Sequence, residues 1–234
     1  MQEVCPDQLT YLDSVMTQYG HVGVGREDGK SEGEMMAVFY DRSLLDLQQW
    51  GSFWLSETPE VPSLGWDAAY KRTCTWTLLN YRSTGQPILF FNTHLDNVGV
   101  EARKHEVQMI ADSIRSIAVR HHLAGDAMVF LSADFNTSTG NPIFQPLKEI
   151  LNEARSITQD SDKGYTFNGF GKVDPEQAQQ TLDESGNSDN EIVVDHIFSR
   201  GVRPLSFRVC RGDYGVPYIS DHYPIVFECQ RARK

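Results

Sequence analysis

No run of about 18 apolar residues occurs in the 234-residue sequence, and no charged segment leads into an apolar one at its start, so nothing reads as a membrane span or secretory signal. Cysteine is scarce and scattered: Cys5, Cys74, Cys210 and Cys229 form no CxxC pair, which excludes a disulfide scaffold or zinc ribbon and leaves mostly buried thiols. Basic residues are also in deficit. The 21 Lys and Arg stand against 32 Asp and Glu, a formal net charge of -11. This argues against strong nonspecific capture of DNA or RNA, which depends on Lys and Arg neutralising phosphates. Local spots such as Lys71-Arg72 and Arg103-Lys104 still suffice for a single phosphate. No repeat of fixed period appears. A cytoplasmic chain is the default expectation, with an upstream signal left open because the first residues already read as the interior of a domain.

What the sequence does contain is one substantial core: 40% hydrophobic content over this length suits a single domain spanning residues 1–234. Leu9, Leu12, Val15, Met16 and Tyr19 follow helical spacing after Pro6, and Val107, Ile110, Ile114, Ile117 and Ala118 do so within Glu101 to Arg120. Strand-like runs are Met35 to Tyr40, Thr73 to Leu79, Pro87 to Asn92, Ala127 to Ser132, Glu191 to Phe198, Pro204 to Cys210 and Pro224 to Cys229. Several are apolar on consecutive residues, as in strands covered on both faces. Strands outnumber helices, so the expected fold is α+β, a four-layer α/β/β/α sandwich of two packed mixed sheets flanked by helices. Gly23 to Gly33 and Gly171 to Asn190 read as loops.

Four polar constellations adjoin these apolar runs. They are Asn92-Thr93-His94-Leu95-Asp96, Asp134-Phe135-Asn136, Val193-Val194-Asp195-His196 and Ser220-Asp221-His222. Strand ends deliver such groups to one sheet rim, as in an α/β enzyme that assembles its site from distant sequence. Phosphoester hydrolysis requires a hard cation, a base for water and donors for phosphoryl oxygens, and each has a candidate here. Glu3 is an oxygen ligand for Mg²⁺, with Mn²⁺ as the alternative. Asp134 and Asn136, two apart, share a face in extended backbone; Asp134 orients water and Asn136 donates to an oxyanion, or the pair merely closes a turn after a buried strand. His94 is placed to donate to a phosphoryl oxygen or a leaving group. His222 is a general base with Asp195 as its orienting partner. Asp221 reads as a cap and His196 as a packed core histidine. Arg72, just before a strand, either clamps a phosphate or makes a surface ion pair. Trp54 and Trp66 either stack on a base or sugar or pack in the interior.

Over nearly its whole length the chain resembles the endonuclease/exonuclease/phosphatase superfamily, which includes exonuclease III-like enzymes, pancreatic-type deoxyribonuclease, neutral sphingomyelinases, inositol polyphosphate 5-phosphatases and deadenylases. The resemblance rests, in order, on Gln2-Glu3-Val4, Asn92-Thr93-His94-Leu95-Asp96, Asp134-Phe135-Asn136, Val194-Asp195-His196-Ile197-Phe198 and Ser220-Asp221-His222. The stretches Val22 to Arg26, Phe53 to Pro59 and Gly65 to Ala69 further resemble an uncharacterised microbial branch. This implies Glu3 as metal ligand with Asp221 beside the metal, His94 and Asn136 on the phosphate, Asp134 at the attacking water, and Asp195 with His222 as orienter and base. Family members normally begin with a strand carrying an Asn at the metal site, and this chain is expected to be truncated relative to them. The implied function is a divalent-metal-dependent phosphoesterase acting on a phosphodiester or phosphomonoester, in a small molecule or at a nucleic-acid end. A 3′–5′ exonuclease of the deadenylase kind and a catalytically silent phosphate-binding module are the alternatives.

Overall fold

In the computed structural model, residues 1–123, 125, 127–185 and 190–232 are described. The chain forms ten strands among them: β1 (Tyr19–Val22), β2 (Val38–Asp41), β3 (Leu45–Trp54), β4 (Thr73–Tyr81), β5 (Pro87–His94), β6 (Met128–Asp134), β7 (Asn152–Glu153), β8 (Asp195–Arg200), β9 (Val202–Val209) and β10 (Ile225–Arg231). The helices are α1 (Pro6–Val15), α2 (Val100–Arg120), α3 (Gln145–Lys148), α4 (Ala154–Ile157) and α5 (Pro175–Ser185). One mixed sheet runs in the order β3-β4-β5-β6-β8-β7. Two antiparallel ribbons, β1-β2 and β9-β10, face it without hydrogen-bonding to one another.

The layers follow from which faces are apolar. In α2, Val107, Ile110, Ala111, Ile114, Ile117 and Ala118 recur at spacings of three and four and form one buried stripe, which packs on Leu89, Phe91, Val129 and Leu131 of β5 and β6. The opposite face of the same sheet places Leu79, Ile88 and Met128 against Tyr40 of β2 and Val202 of β9. Helix α1 covers the outer side of the first ribbon, where Leu9 and Leu12 meet Val4, Met35 and Ala37. This is the expected α+β sandwich, with the second sheet present as the two ribbons. Central strands buried on both faces explain the consecutive apolar runs in β4, β5 and β6.

Several expectations are corrected. Tyr19 does not continue the first helix: α1 stops at Val15, and Tyr19 opens β1, where Gly20 lies so close to the Tyr40 ring that a Cβ would approach it to 2.4 Å. The segment Gly171 to Asn190 is not all loop, because α5 occupies Pro175–Ser185 with Pro at its start and Asp174 Oδ1 accepting from the N–H groups of Glu176 and Gln177. Of the four cysteines only Cys74 is buried; the other three are half-exposed, and all four are free. Strands β1, β3 and β7 were not expected, and β8 starts at Asp195 rather than Glu191.

One buried group in this frame has a direct thermodynamic consequence. Glu106 of α2 is fully buried; its Oε2 accepts the Asp96 N–H at 3.0 Å and its Oε1 has no partner. Burial, opposed by that hydrogen bond and by Arg72, raises its pKa from 4.5 to about 8. A folded pKa above the unfolded one means the fold prefers the protonated acid, so this contribution to stability is complete below about pH 4.5 and is lost as pH rises towards about 8. Glu106→Gln keeps the acceptor and removes the ionisation. Urea unfolding across that window should show a shallower loss of stability in Glu106→Gln than in the parent; an identical slope would sink the assignment.

Candidate active site

Strand register gathers the site. β5 and β6 pair in parallel with His94 opposite Asp134, and β6 and β8 pair antiparallel with Asp134 opposite Asp195. Register partners share a sheet face, so three residues distant in sequence project side by side from one rim. Of the expected site residues, Glu3, Arg72, His94, Asp134, Asn136, Asp221 and His222 line one cleft of about 410 Å³. Asp195 lies behind His222, its Oδ2 taking a hydrogen bond from the ring Nδ1 at 2.8 Å. All eight expected residues therefore converge. The cleft also takes Arg26, Glu34, Tyr70, Asn97 and Phe167, which were not singled out individually. Only Arg26 carried a signal, as the end of the Val22 to Arg26 stretch.

The loops that close the rim are built from local chemistry. Thr166 Oγ1 accepts from the N–H groups of Val194 and Asp195, fixing the start of β8. Asn168 N and Gly169 N both donate to the Asp221 carbonyl, and Tyr223 N donates to the Thr166 carbonyl. Phe167 then lies edge-on to the His222 ring, with centroids 5.1 Å apart. Glu3 has φ of 57°, rare outside glycine, and is held there because Val4 and Met35 exchange both backbone hydrogen bonds. Asp96 is wholly buried and accepts from the N–H groups of Ala69, Tyr70, Val98 and Gly99. These bonds outweigh burial and keep its carboxyl below the usual range, so it is a charged anchor for Arg72 Nε at 3.4 Å. Arg72 is thus a buried ion pair at the cleft wall, not a surface one.

Of the two readings of Asn136, extended strand or turn, the structure takes the turn and still brings the residue to the site. Its φ is 51°, so it sits in a left-handed turn beyond β6 and not on an extended strand. Its N–H donates to Asp134 Oδ1 at 2.9 Å, which closes that turn. Its Nδ2 donates both to the Leu95 carbonyl at 2.8 Å and to His94 Nε2 at 2.9 Å. The carbonyl fixes which end of the amide is nitrogen, so the Asn136 contact favours Nε2 of His94 as the acceptor, while Asp134 Oδ2, 3.3 Å from the same nitrogen, competes for a proton there. With Nε2 accepting, the His94 proton resides on Nδ1, a buried atom without a hydrogen-bond partner, 3.4 Å from Glu3 Oε1. Burial, reinforced by Arg72, His222 and Arg26, holds His94 neutral well below its ordinary pKa.

His222 is the opposite case. Burial depresses its pKa, but the Asp195 hydrogen bond and the charges of Asp195, Asp134 and Asp221 overcome that and lift it to about 9. Asp134 is raised to about 7 by burial and the neighbouring Asp195. Its Oδ2 lies 3.5 Å from His222 Nε2. Glu3 is raised by burial and by Glu34 and Asp221. Two groups of potential metal ligands result, Glu3-Glu34-His94 and Asp134-Asp195-His222, each with ligand atoms within 4.8 Å of one another. A cleft in which neighbouring carboxylates raise the pKa of Glu3 and Asp134 suits a hard divalent cation. In the first group His94 presents an N–H, which leaves the carboxylates as the ligands.

Trp54 and Trp66 do not face the cleft as stacking platforms. Trp54 is buried and donates from Nε1 to the Arg26 carbonyl at 2.8 Å, while Trp66 stacks on His105 with centroids 4.7 Å apart. His196 is the packed core histidine expected, its Nε2 within 2.9 Å of the Val193 carbonyl.

No protein-family model matches the sequence. Uncharacterized protein L388 of Acanthamoeba polyphaga mimivirus is 28% identical over 181 residues, 74% of this chain. The match spans 62% of that protein, less than two thirds of its length. The endonuclease/exonuclease/phosphatase of Bacteroides vulgatus superposes with a TM-score of 0.85 at 27% identity, covering 99% of this chain and 84% of that one. The mannosyl-6-phosphatase Bt3783 of Bacteroides thetaiotaomicron superposes with a TM-score of 0.80 at 29% identity, covering 98% of this chain and 83% of that one.

The tautomer of His94 is directly measurable. Nitrogen-15 NMR should show a neutral His94 ring protonated on Nδ1 at pH 6, and Asn136→Ala should lose that single tautomer. A ring protonated on Nε2 in the parent protein would contradict the hydrogen-bond assignment.

Proposed function

We propose that the chain, which resembles solved endonuclease/exonuclease/phosphatase proteins over nearly its whole length, is a divalent-metal-dependent phosphoesterase of that superfamily in which His222 and Asp195 activate water for in-line attack on phosphorus. The observation that carries this reading is the relay from Asp195 Oδ2 through His222 to Asp134: 2.8 Å on the Nδ1 side and 3.5 Å on the Nε2 side. Asp195 fixes the ring with its proton on Nδ1, so a neutral His222 turns a lone pair on Nε2 into the cleft. Asp134, beside that nitrogen, accepts the other hydrogen of the water and orients it. The water gives one proton to the Nε2 lone pair of neutral His222, a form that grows as pH rises towards about 9, while its oxygen bonds to phosphorus and the opposite P–O bond breaks; the expelled oxygen takes its proton from solvent.

Glu3 and Asp221 would hold the cation, Mg²⁺ or Mn²⁺, and Glu34 stands close enough to Glu3 to add to the negative charge there. Bound there, the cation supplies Lewis-acid neutralisation of phosphoryl charge. The remaining groups are the protein's own. The Nδ1–H of His94 is an unused donor for a phosphoryl oxygen, and its neutrality suits donation without proton loss. Asn136 has both amide hydrogens engaged, so it acts through His94 as a positioning residue and not as an oxyanion donor. Arg72, anchored by Asp96, faces the substrate's anionic group.

With Mg²⁺ or Mn²⁺ present, His222→Ala and Asp195→Asn should each lower kcat on an activated phosphoester by about 10²–10⁴-fold. Asp134→Ala should fall in the same range. Undiminished metal-dependent hydrolysis in both His222→Ala and Asp134→Ala would overturn this mechanism.

A further inference from the structure

We propose that Arg26 and Arg72, set against Tyr70, form a recognition subsite for the terminal oxygens of a phosphomonoester, making the substrate class a phosphomonoester dianion and not a diester. This rests on the phosphoesterase reading above and specifies it. The two residues come from different segments, yet their guanidinium carbons lie 5.3 and 5.6 Å from the centroid of the same Tyr70 ring. Both line the cleft that contains Asp134 and His222.

The loop from Gly23 to Gly33 is constructed to hold Arg26 there. Gly25 lies where a Cβ would come within 2.3 Å of the Glu32 backbone, and Gly29, with φ of 73°, passes beneath the Trp54 ring. Trp54 then ties down the Arg26 carbonyl, and Arg26 N donates to the Glu34 carbonyl at 3.0 Å. The side chain is largely withdrawn from solvent, with 12% of its surface exposed. Its Nη1 donates to Glu34 Oε2 at 2.5 Å, and its Nε, buried with no hydrogen-bond partner, lies 3.6 Å from Glu27 Oε1. Arg72 uses Nε on Asp96 and Nη2 on Asn97.

A desolvated guanidinium with an unused donor is incomplete, because a buried N–H without an acceptor is unfavourable. Glu27 stands just too far to satisfy that donor, and a ligand acceptor that suits a planar, always charged group at the cleft is a phosphate or carboxylate oxygen. A phosphomonoester brings three terminal oxygens and close to two negative charges near neutral pH. In a diester, one of those oxygens carries a second substituent. Oriented towards Arg26 and Arg72, that substituent would cover their N–H groups without accepting from them, and its single negative charge would match the paired cations less well.

The test uses p-nitrophenyl phosphate and bis(p-nitrophenyl) phosphate as a monoester and diester pair, with inorganic phosphate as the calorimetric probe, on folded parent and variant proteins in Mg²⁺. Arg26→Gln is the primary variant, since Arg72 is tied to buried Asp96 and its loss threatens folding. Arg26→Gln should weaken inorganic phosphate binding by about 10–100-fold, the range for a lost hydrogen bond to a charged group. The ratio of monoester to diester kcat/KM should fall by at least about tenfold, with part of it restored in Arg26→Lys. The subsite is overturned if folded Arg26→Gln keeps both phosphate affinity and that ratio within about twofold of the parent, or if the parent cleaves only the diester. If the parent cleaves neither ester but its phosphate affinity still depends on Arg26, the subsite stands and the hydrolytic reading fails.

Discussion

His94, Asp134 and Asp195 are register partners across β5, β6 and β8, and the site exists only while both pairings hold. The side-chain period of a strand is two, so a slip of one residue in either pairing would turn Asp134 or its neighbour to the opposite face. The register is guarded from both sides of the sheet. Leu89, Phe91, Val129 and Leu131 lock against the α2 stripe, while Ile88 and Met128 pack against the ribbons. The apolar interior thus sets the position of the polar rim. Stability and function are coupled here through geometry, and at Arg72 also through one side chain that serves both.

Electrostatics sharpens what register begins. Negative charge concentrates on Glu3, Glu34, Asp134, Asp195 and Asp221, and two of these groups, Glu3 and Asp134, have raised pKa values as a consequence. Positive charge in the same cleft stands on Arg26, which pairs with Glu34, and on Arg72. A cleft polarised in this way suits a ligand that carries both signs, such as a divalent cation with a phosphate. Asp96 shows how the positive wall is maintained: four backbone N–H groups hold one buried carboxylate in its charged form, and that charge in turn keeps Arg72 in place. The two histidines divide the labour by environment. Burial among cations leaves His94 neutral, and contact with two carboxylates favours a protonated His222.

Much of this was readable before any coordinates. The stripe within Glu101 to Arg120 matches α2 to within one residue, because apolar residues at helical spacing admit few other folds. The runs that became β4, β5 and β6 were visible for the same reason. Strand β3 was not, because it is an edge strand with a shift in register between Leu47 and Gln49 that breaks the alternation. Helix α5 was hidden by its polarity: Gln, Asp and Glu dominate it, and among its described side chains only Ala178 is buried. The turn at Asn136 was one of two open readings, since Asp-x-Asn is compatible with both extended strand and turn and only the chain path past β6 selects one.

Chemistry by residue type was determined by the sequence alone: carboxylates, an amide and imidazoles at the ends of apolar runs, with too little basic charge for broad nucleic-acid capture. Those are local properties, set by side-chain identity and periodicity. Tertiary structure decided which of them meet, which nitrogen of His94 bears the proton, and that Arg26 joins Arg72 across one tyrosine ring. Such facts depend on contacts between segments tens of residues apart. No short-range pattern encodes them, because the free energy that selects them comes from burial and pairing across the whole core.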